Sequence, residues 1–198
     1  MTLSRRALLR DLGLGLGVLL WRPLPSLALG GTLPELNTAA PDFSLEGIAP
    51  ASNPGDGTEV EGTKPVQRSL ADFRGSWLVL YFYPRDFTSG CTLEARGFQK
   101  ALPQFAQCQA QIVGISADST EDHAAFCGSE GLRYTLLSDP GGKVSQRYGS
   151  WLPPFSLRHS FLIDPQGVLR RSWTGVRPSG HALEVLAELE RLQVESVG

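Results

Sequence analysis

The sequence predicts an α/β domain: a three-layer sandwich with a mainly parallel central sheet and an added antiparallel hairpin. Three observations predict it. Two apolar, β-branched and aromatic runs, 77–83 and 111–116, read as buried strands, and between them apolar residues recur at helical spacing, which makes a right-handed βαβ unit. Asp164-Pro-Gln-Gly167 lies between two more strand-like runs and carries hairpin-turn chemistry. A final amphipathic stretch with Leu183, Leu186, Leu189 and Leu192 reads as a closing helix.

At 198 residues the chain suits one α/β domain with a full core. Its 41% apolar and 19% charged residues are ordinary for a globular protein, and neither charge runs nor aromatic-basic patterning suggests a nucleic-acid surface. The formal charge is −2; without the first thirty residues, which hold four arginines and one aspartate, it would be near −5. Three cysteines are too few for a disulfide scaffold and fit a reactive thiol with one possible partner.

Taken in order, residues 1–30 lay out an export signal: Arg5-Arg6 after Ser4, a short Gly-spaced apolar run, then Pro23, Pro25 and the small residues Ser26, Ala28 and Gly30. Arg10, Asp11 and Arg22 confine the apolar run to about half of what a membrane span needs. The paired arginines resemble a twin-arginine signal, so the expectation is cleavage near Ala28 or Gly30 and residence in a periplasm or thylakoid lumen, with no membrane attachment afterwards. Residues 31–40 read as a linker, and the domain is expected over 41–198. Phe43-Ser-Leu45 alternates like a short strand, and 47–64, rich in Gly and Pro, reads as a surface insertion. Ser69 to Asp72 suits a capped turn before the central strand at 77–83.

Pro84 cannot donate to a ladder and stops that strand. A helix is expected from Cys91 to about 107, then the strand 111–116, then a helix capped by Ser119 or Thr120 that runs through His123, Phe126 and Cys127 and ends at Gly128 or Gly131. A short strand at 134–137, a short helix at 143–148, a Pro- and aromatic-rich loop at 151–156, the hairpin, and a helix capped by Ser179 complete the chain. This order describes a thioredoxin-like sandwich. Such folds often carry Cys-x-x-Cys, and this chain has none, which favours single-cysteine nucleophilic chemistry over thiol-disulfide exchange.

The residue that chemistry would use is Cys91. A cysteine at a helix N-terminus meets unpaired N–H groups and the positive end of the helix dipole, both of which favour the nucleophilic thiolate. Thr88, three residues earlier, is expected to set a hydroxyl beside the sulfur. None of the three histidines has ligand spacing to another histidine or to a cysteine, so neither a metal nor a cofactor is expected.

Pro84-Arg-Asp-Phe-Thr88-Ser-Gly-Cys91 resembles the P-x-x-x-T-x-x-C motif of the peroxiredoxins, and within them the PrxQ or bacterioferritin-comigratory-protein subgroup. Further likenesses are Ala40-Pro-Asp-Phe43, Gly114-Ile-Ser-Ala-Asp118, Thr135-Leu-Leu-Ser-Asp-Pro140 and Arg158-His-Ser-Phe-Leu-Ile-Asp164. The resemblance implies a thiol peroxidase for hydrogen peroxide and organic hydroperoxides, reduced by thioredoxin or a glutaredoxin-like donor, and frequently monomeric. It implies that Cys91 attacks the peroxide, Pro84 shields the sulfur, Thr88 holds sulfur and peroxide, and Arg158 supplies fixed positive charge, with Glu94 orienting that arginine.

The subgroup's commonest resolving cysteine, five positions after the first, is Arg96 here. A second pattern in the subgroup places it in the next helix, which implies Cys127. Cys108 would sit at the far end of the first helix, roughly 25 Å from Cys91 and beyond disulfide reach. A cycle closed by an external thiol, a thiol-disulfide oxidoreductase and a non-catalytic binding module stay open as alternatives at this point.

Overall fold

The computed structural model describes residues 27–28, 30–51 and 62–195. In chain order its elements are β1 (Leu27–Ala28), β2 (Gly31–Thr32), β3 (Ser44–Pro50), β4 (Thr63–Ser69), a 3-10 turn (Leu70–Phe73), β5 (Trp77–Phe82), α1 (Ser89–Gln107), β6 (Ala110–Ser116), α2 (Thr120–Glu130), β7 (Thr135–Ser138), α3 (Lys143–Arg147), β8 (Trp151–Leu152), β9 (Phe155–Ser156), β10 (His159–Ile163), β11 (Leu169–Trp173) and α4 (His181–Glu195). The long sheet runs β11-β10-β5-β6-β7-β3-β4. Its centre, β5-β6-β7, is parallel, and both flanks are antiparallel.

Strand β5 shows why the sandwich has three layers. Its residues are all buried, and because side chains alternate along a strand, Trp77, Val79 and Tyr81 enter one apolar cluster while Leu78, Leu80 and Phe82 enter another. The first cluster joins the sheet to α1, α2 and α4 through Phe98, Phe105, Phe126, Val185 and Leu189. The second packs the opposite face against Val144 and Tyr148 at α3 and against Leu70 and Phe73 of the 3-10 turn. In β6 a side chain on Gly114 would come within 2.8 Å of the Tyr81 ring, so this position leaves the room that the buried tyrosine takes.

Two expectations are corrected. The insertion placed at 47–64 is strand at both ends: β3 and β4 pair in register from Ser44↔Ser69 to Pro50↔Thr63, so the antiparallel part of the sheet is larger than one hairpin. Its interior, 52–61, lies outside the described residues. The linker expected at 31–40 is bound to the sheet: Asn37 N–H donates to Leu169 O at 2.7 Å, Leu169 N–H to Thr38 O at 2.9 Å, and Ala40 N–H to Gly167 O at 3.0 Å. β11 is an edge strand, and an edge left open offers unpaired donors and acceptors to a passing chain. The 151–156 loop folds back as β8 and β9 around a cis Pro153–Pro154 peptide, and α4 starts at His181, two residues after its expected Ser179 cap. The export segment lies outside the described residues apart from 27–28 and 30.

Candidate active site

Three strand ends meet at one edge of the sheet. β5 and β6 are parallel, so Tyr83 and Pro84 leave the sheet beside Ser116. β10 runs antiparallel to β5 with His159 opposite Phe82, which sets the preceding residue, Arg158, next to the chain leaving β5. That chain turns through 84–88 into α1. Ligands of open α/β sheets gather at this carboxyl edge.

Thr88 is the N-cap residue of α1, and Cys91 lies in the first turn, 2% exposed. The Thr88 side chain makes no cap bond, and no acidic residue occupies the first turn, so the first N–H groups and the helix pole stay available to an anion. Arg158 crosses to this turn: Nη2 donates to Cys91 Sγ at 3.2 Å, and Nη1 pairs with Glu94 Oε2. Gly90 makes the approach possible, since a Cβ there would stand 3.3 Å from Arg158 Nη2. A guanidinium N–H aimed at sulfur stabilises negative charge on it, and the same fork can hold a polarised peroxide oxygen. The expected pairing of Arg158 with Cys91 is therefore present, as is the Glu94 contact.

Thr88 differs in detail. Its hydroxyl donates to Arg85 O at 3.0 Å, so its lone pairs, not its proton, are left to face the site. Pro84 is half-buried where β5 ends. Cys127 is buried in α2 and shares the apolar cluster of Cys91. Burial, and secondarily the Asp86 charge, push its thiol up to about 12. Cys108 is the C-cap of α1, at the end opposite Cys91. Arg96, on the exposed side of α1, pairs with Glu130 at 2.5 Å and bridges α1 to α2. His159 is buried with its Nδ1 3.1 Å from Ser150 Oγ, a structural histidine.

What the residue types did not reveal is the polar layer under the loop. Tyr83, Asp86, Ser116, Asp118 and His123 form one hydrogen-bonded group there. The signal for it was present: Asp86 stands inside the cysteine motif, and His123 is one helical turn before Cys127.

Glu94 is nearly fully buried, and its Oε1 has no hydrogen-bond partner. Burial pushes its carboxyl up to about 7, against the lowering pull of Arg158. Between pH 4.5 and 7 the folded chain then holds a proton that the unfolded chain has released, so this carboxyl favours folding most at low pH and the contribution fades as pH rises to about 7. Comparing wild type with Glu94→Gln by urea unfolding, the stability of wild type relative to the variant is expected to fall by about 3 kcal/mol across that window. A difference that stays level with pH would contradict it.

The sequence profile of the AhpC/TSA family matches residues 36–172. The chain is similar to peroxiredoxin Bcp of Xanthomonas campestris pv. campestris, 38% identical over 134 residues that cover 63% of this chain and 83% of that one. It is likewise similar to the chloroplastic peroxiredoxin Q of Sedum lineare, 38% identical over 66% of this chain and 71% of that one. Among solved structures, X. campestris bacterioferritin comigratory protein, described for its alkyl peroxide reduction activity, superposes with a TM-score of 0.62 at 34% identity, covering 64% of this chain and 85% of that one. Two solved cysteine-to-serine mutants of X. campestris peroxiredoxin Q change cysteines thirty-six positions apart in that protein.

Proposed function

The chain belongs to the AhpC/TSA family and is a thiol-dependent peroxidase, and on that premise we propose that it reduces hydrogen peroxide and organic hydroperoxides through Cys91 and resolves with Cys127. The observation that carries the reading is the 3.2 Å contact of Arg158 Nη2 with Cys91 Sγ at the uncapped start of α1. The thiolate sulfur attacks one peroxide oxygen, an S–O bond forms as the O–O bond breaks, and the leaving oxygen departs as water or alcohol once protonated. Arg158 and the first-turn N–H groups hold the charge that develops on that oxygen. Thr88, with lone pairs free, accepts a hydrogen bond from the peroxide O–H, while Pro84 limits water at the sulfur.

Cys91 is then a sulfenic acid. Attack by the Cys127 sulfur forms the S–S bond and breaks the S–O bond, and the hydroxide with the Cys127 proton makes one water. The separation of Cys91 and Cys127, thirty-six positions, equals that of the two cysteines altered in the X. campestris protein, which supports Cys127. Both cysteines start buried, so the turns around them must unwind, with Gly90 and Gly128 as pivots. A thioredoxin or glutaredoxin-like dithiol restores the pair. We place the active chain, a monomer, outside the cytosol on the strength of residues 1–30, and a reporter fused to them should lose export when Arg5 and Arg6 become Lys.

The test mixes reduced Cys108→Ser protein with one equivalent of hydrogen peroxide. Rapid tryptophan fluorescence should report a reaction far faster than a free thiol's, and mass spectrometry a linked 91–127 peptide. A free-thiol rate would defeat the Cys91 site; a fast reaction with no linked peptide would leave a cycle closed by an external thiol.

A further inference from the structure

The cycle above leaves one buried polar cluster unused. Asp86 is 4% exposed and His123 is fully buried. Asp86 Oδ1 accepts the Tyr83 hydroxyl at 2.7 Å, and Oδ2 lies 2.7 Å from His123 Nδ1. The other ring nitrogen, Nε2, lies 3.2 Å from the Leu137 carbonyl oxygen. A carbonyl only accepts, so Nε2 donates to Leu137 O, and Nδ1 shares the second hydrogen bond with the Asp86 carboxyl, which leaves the ring held at both nitrogens.

The positions of the two residues give the pair its meaning. Asp86 lies between Pro84 and Thr88, in the loop that delivers Cys91; His123 lies one turn before Cys127 on the buried face of α2. A second contact stands beside the first. Phe87 has φ 59°, a left-handed conformation that is costly for a bulky side chain, and its half-exposed ring meets Phe126 edge-on at 5.2 Å. Residues 86 and 87 thus grip 123 and 126, just ahead of Cys127.

We propose that His123 is a positioning residue for the resolving step: paired with Asp86, and flanked by the Phe87–Phe126 contact, it clasps α2 to the Cys91 loop, and release of that clasp sets how fast Cys127 reaches the Cys91 sulfenic acid. This rests on the cycle proposed above. While the clasp is closed, α2 stays wound and Cys127 stays buried as the peroxide reacts. The Asp86 charge adds to burial in keeping Cys127 a thiol during that interval. When it opens, the thiol meets solvent, loses its proton and attacks the sulfur of the Cys91 sulfenic acid, displacing hydroxide, which takes up that proton as water.

Three variants of the full chain separate the possibilities. His123→Phe keeps a ring and removes both hydrogen bonds, Phe87→Asn suits the left-handed backbone and removes the ring contact, and His123→Asn retains a donor toward Asp86. Rapid mixing with one equivalent of peroxide resolves the sulfenate and disulfide phases, and hydrogen exchange of the amides at 123–130 reads the opening of α2 in the reduced protein. The disulfide phase is expected to quicken about tenfold in His123→Phe and about threefold in Phe87→Asn, with faster α2 exchange in both. His123→Asn should stay close to wild type, and the sulfenate phase should not change. If His123→Phe does not fold, Phe87→Asn decides by the same two readings. A wild-type protein that links no 91–127 peptide overturns the cycle and the resolving role with it; normal linkage, with rates and exchange unchanged in the disrupting variants, overturns the clasp alone.

Discussion

Arg158→Met is expected to slow the reaction of Cys91 with hydrogen peroxide by at least about 100-fold, the cost of removing one donor aimed at a developing oxyanion. The guanidinium fork makes two contacts at once. One guanidinium nitrogen reaches Sγ at 3.2 Å and the other holds Glu94, so charge and orientation come from one planar group. Removing a buried cation ordinarily strands its partner's charge. Glu94, however, is already raised by burial to about 7, and without Arg158 it can take up a proton instead of remaining an unpaired anion. The variant should therefore fold, as circular dichroism can check, and the rate loss will read chemistry and not collapse. Arg158→Lys keeps charge but cannot reach both partners, and should fall between. Stopped-flow second-order rates within about threefold of wild type in Arg158→Met would remove the arginine from the mechanism.

How much of this was legible in the sequence depends on where each contact is written. The unit β5-α1-β6 was plain because a buried parallel strand has no polar face to disguise it and Pro84 marks its end. β4 was missed because it is an edge strand. With one partner and no fully buried side chain it tolerates Lys64, Pro65, Gln67 and Arg68, and Pro65, lacking an N–H, reads as loop where only an edge allows it. Arg158 could be reached only through the family resemblance, since nothing local distinguishes an arginine before a strand; the antiparallel register of β10 with β5 is what brings it to Cys91. The direction of the Thr88 hydroxyl follows from the turn at 85–88, which no residue type declares. Asp86 and His123 are thirty-seven positions apart, and each alone has the character of a surface residue. Their pairing is a tertiary fact, made when α2 docks against the loop.

Cys127→Ser is expected to leave the first encounter with peroxide intact and to cut steady-state turnover roughly 100-fold, because the resolving thiol would otherwise act at an intramolecular concentration on the order of millimolar or above, against micromolar external reductant. The sulfenic acid then lingers, and excess peroxide carries it to the sulfinic acid, a rise of two oxygens on the peptide bearing Cys91. Cys108→Ser should behave as wild type, since Cys108 closes the far end of a nineteen-residue helix that begins beside the attacking sulfur. Cys91→Ser should lose even the first turnover. These patterns separate the two halves of the cycle. A single-turnover burst without sustained turnover in Cys127→Ser assigns resolution to that residue, whereas full turnover there would pass it to an outside thiol. The burial of Cys127 makes the distinction sharp: a thiol held up to about 12 and shut from solvent can resolve nothing until α2 opens, so its participation requires motion that an external thiol would not need from that helix.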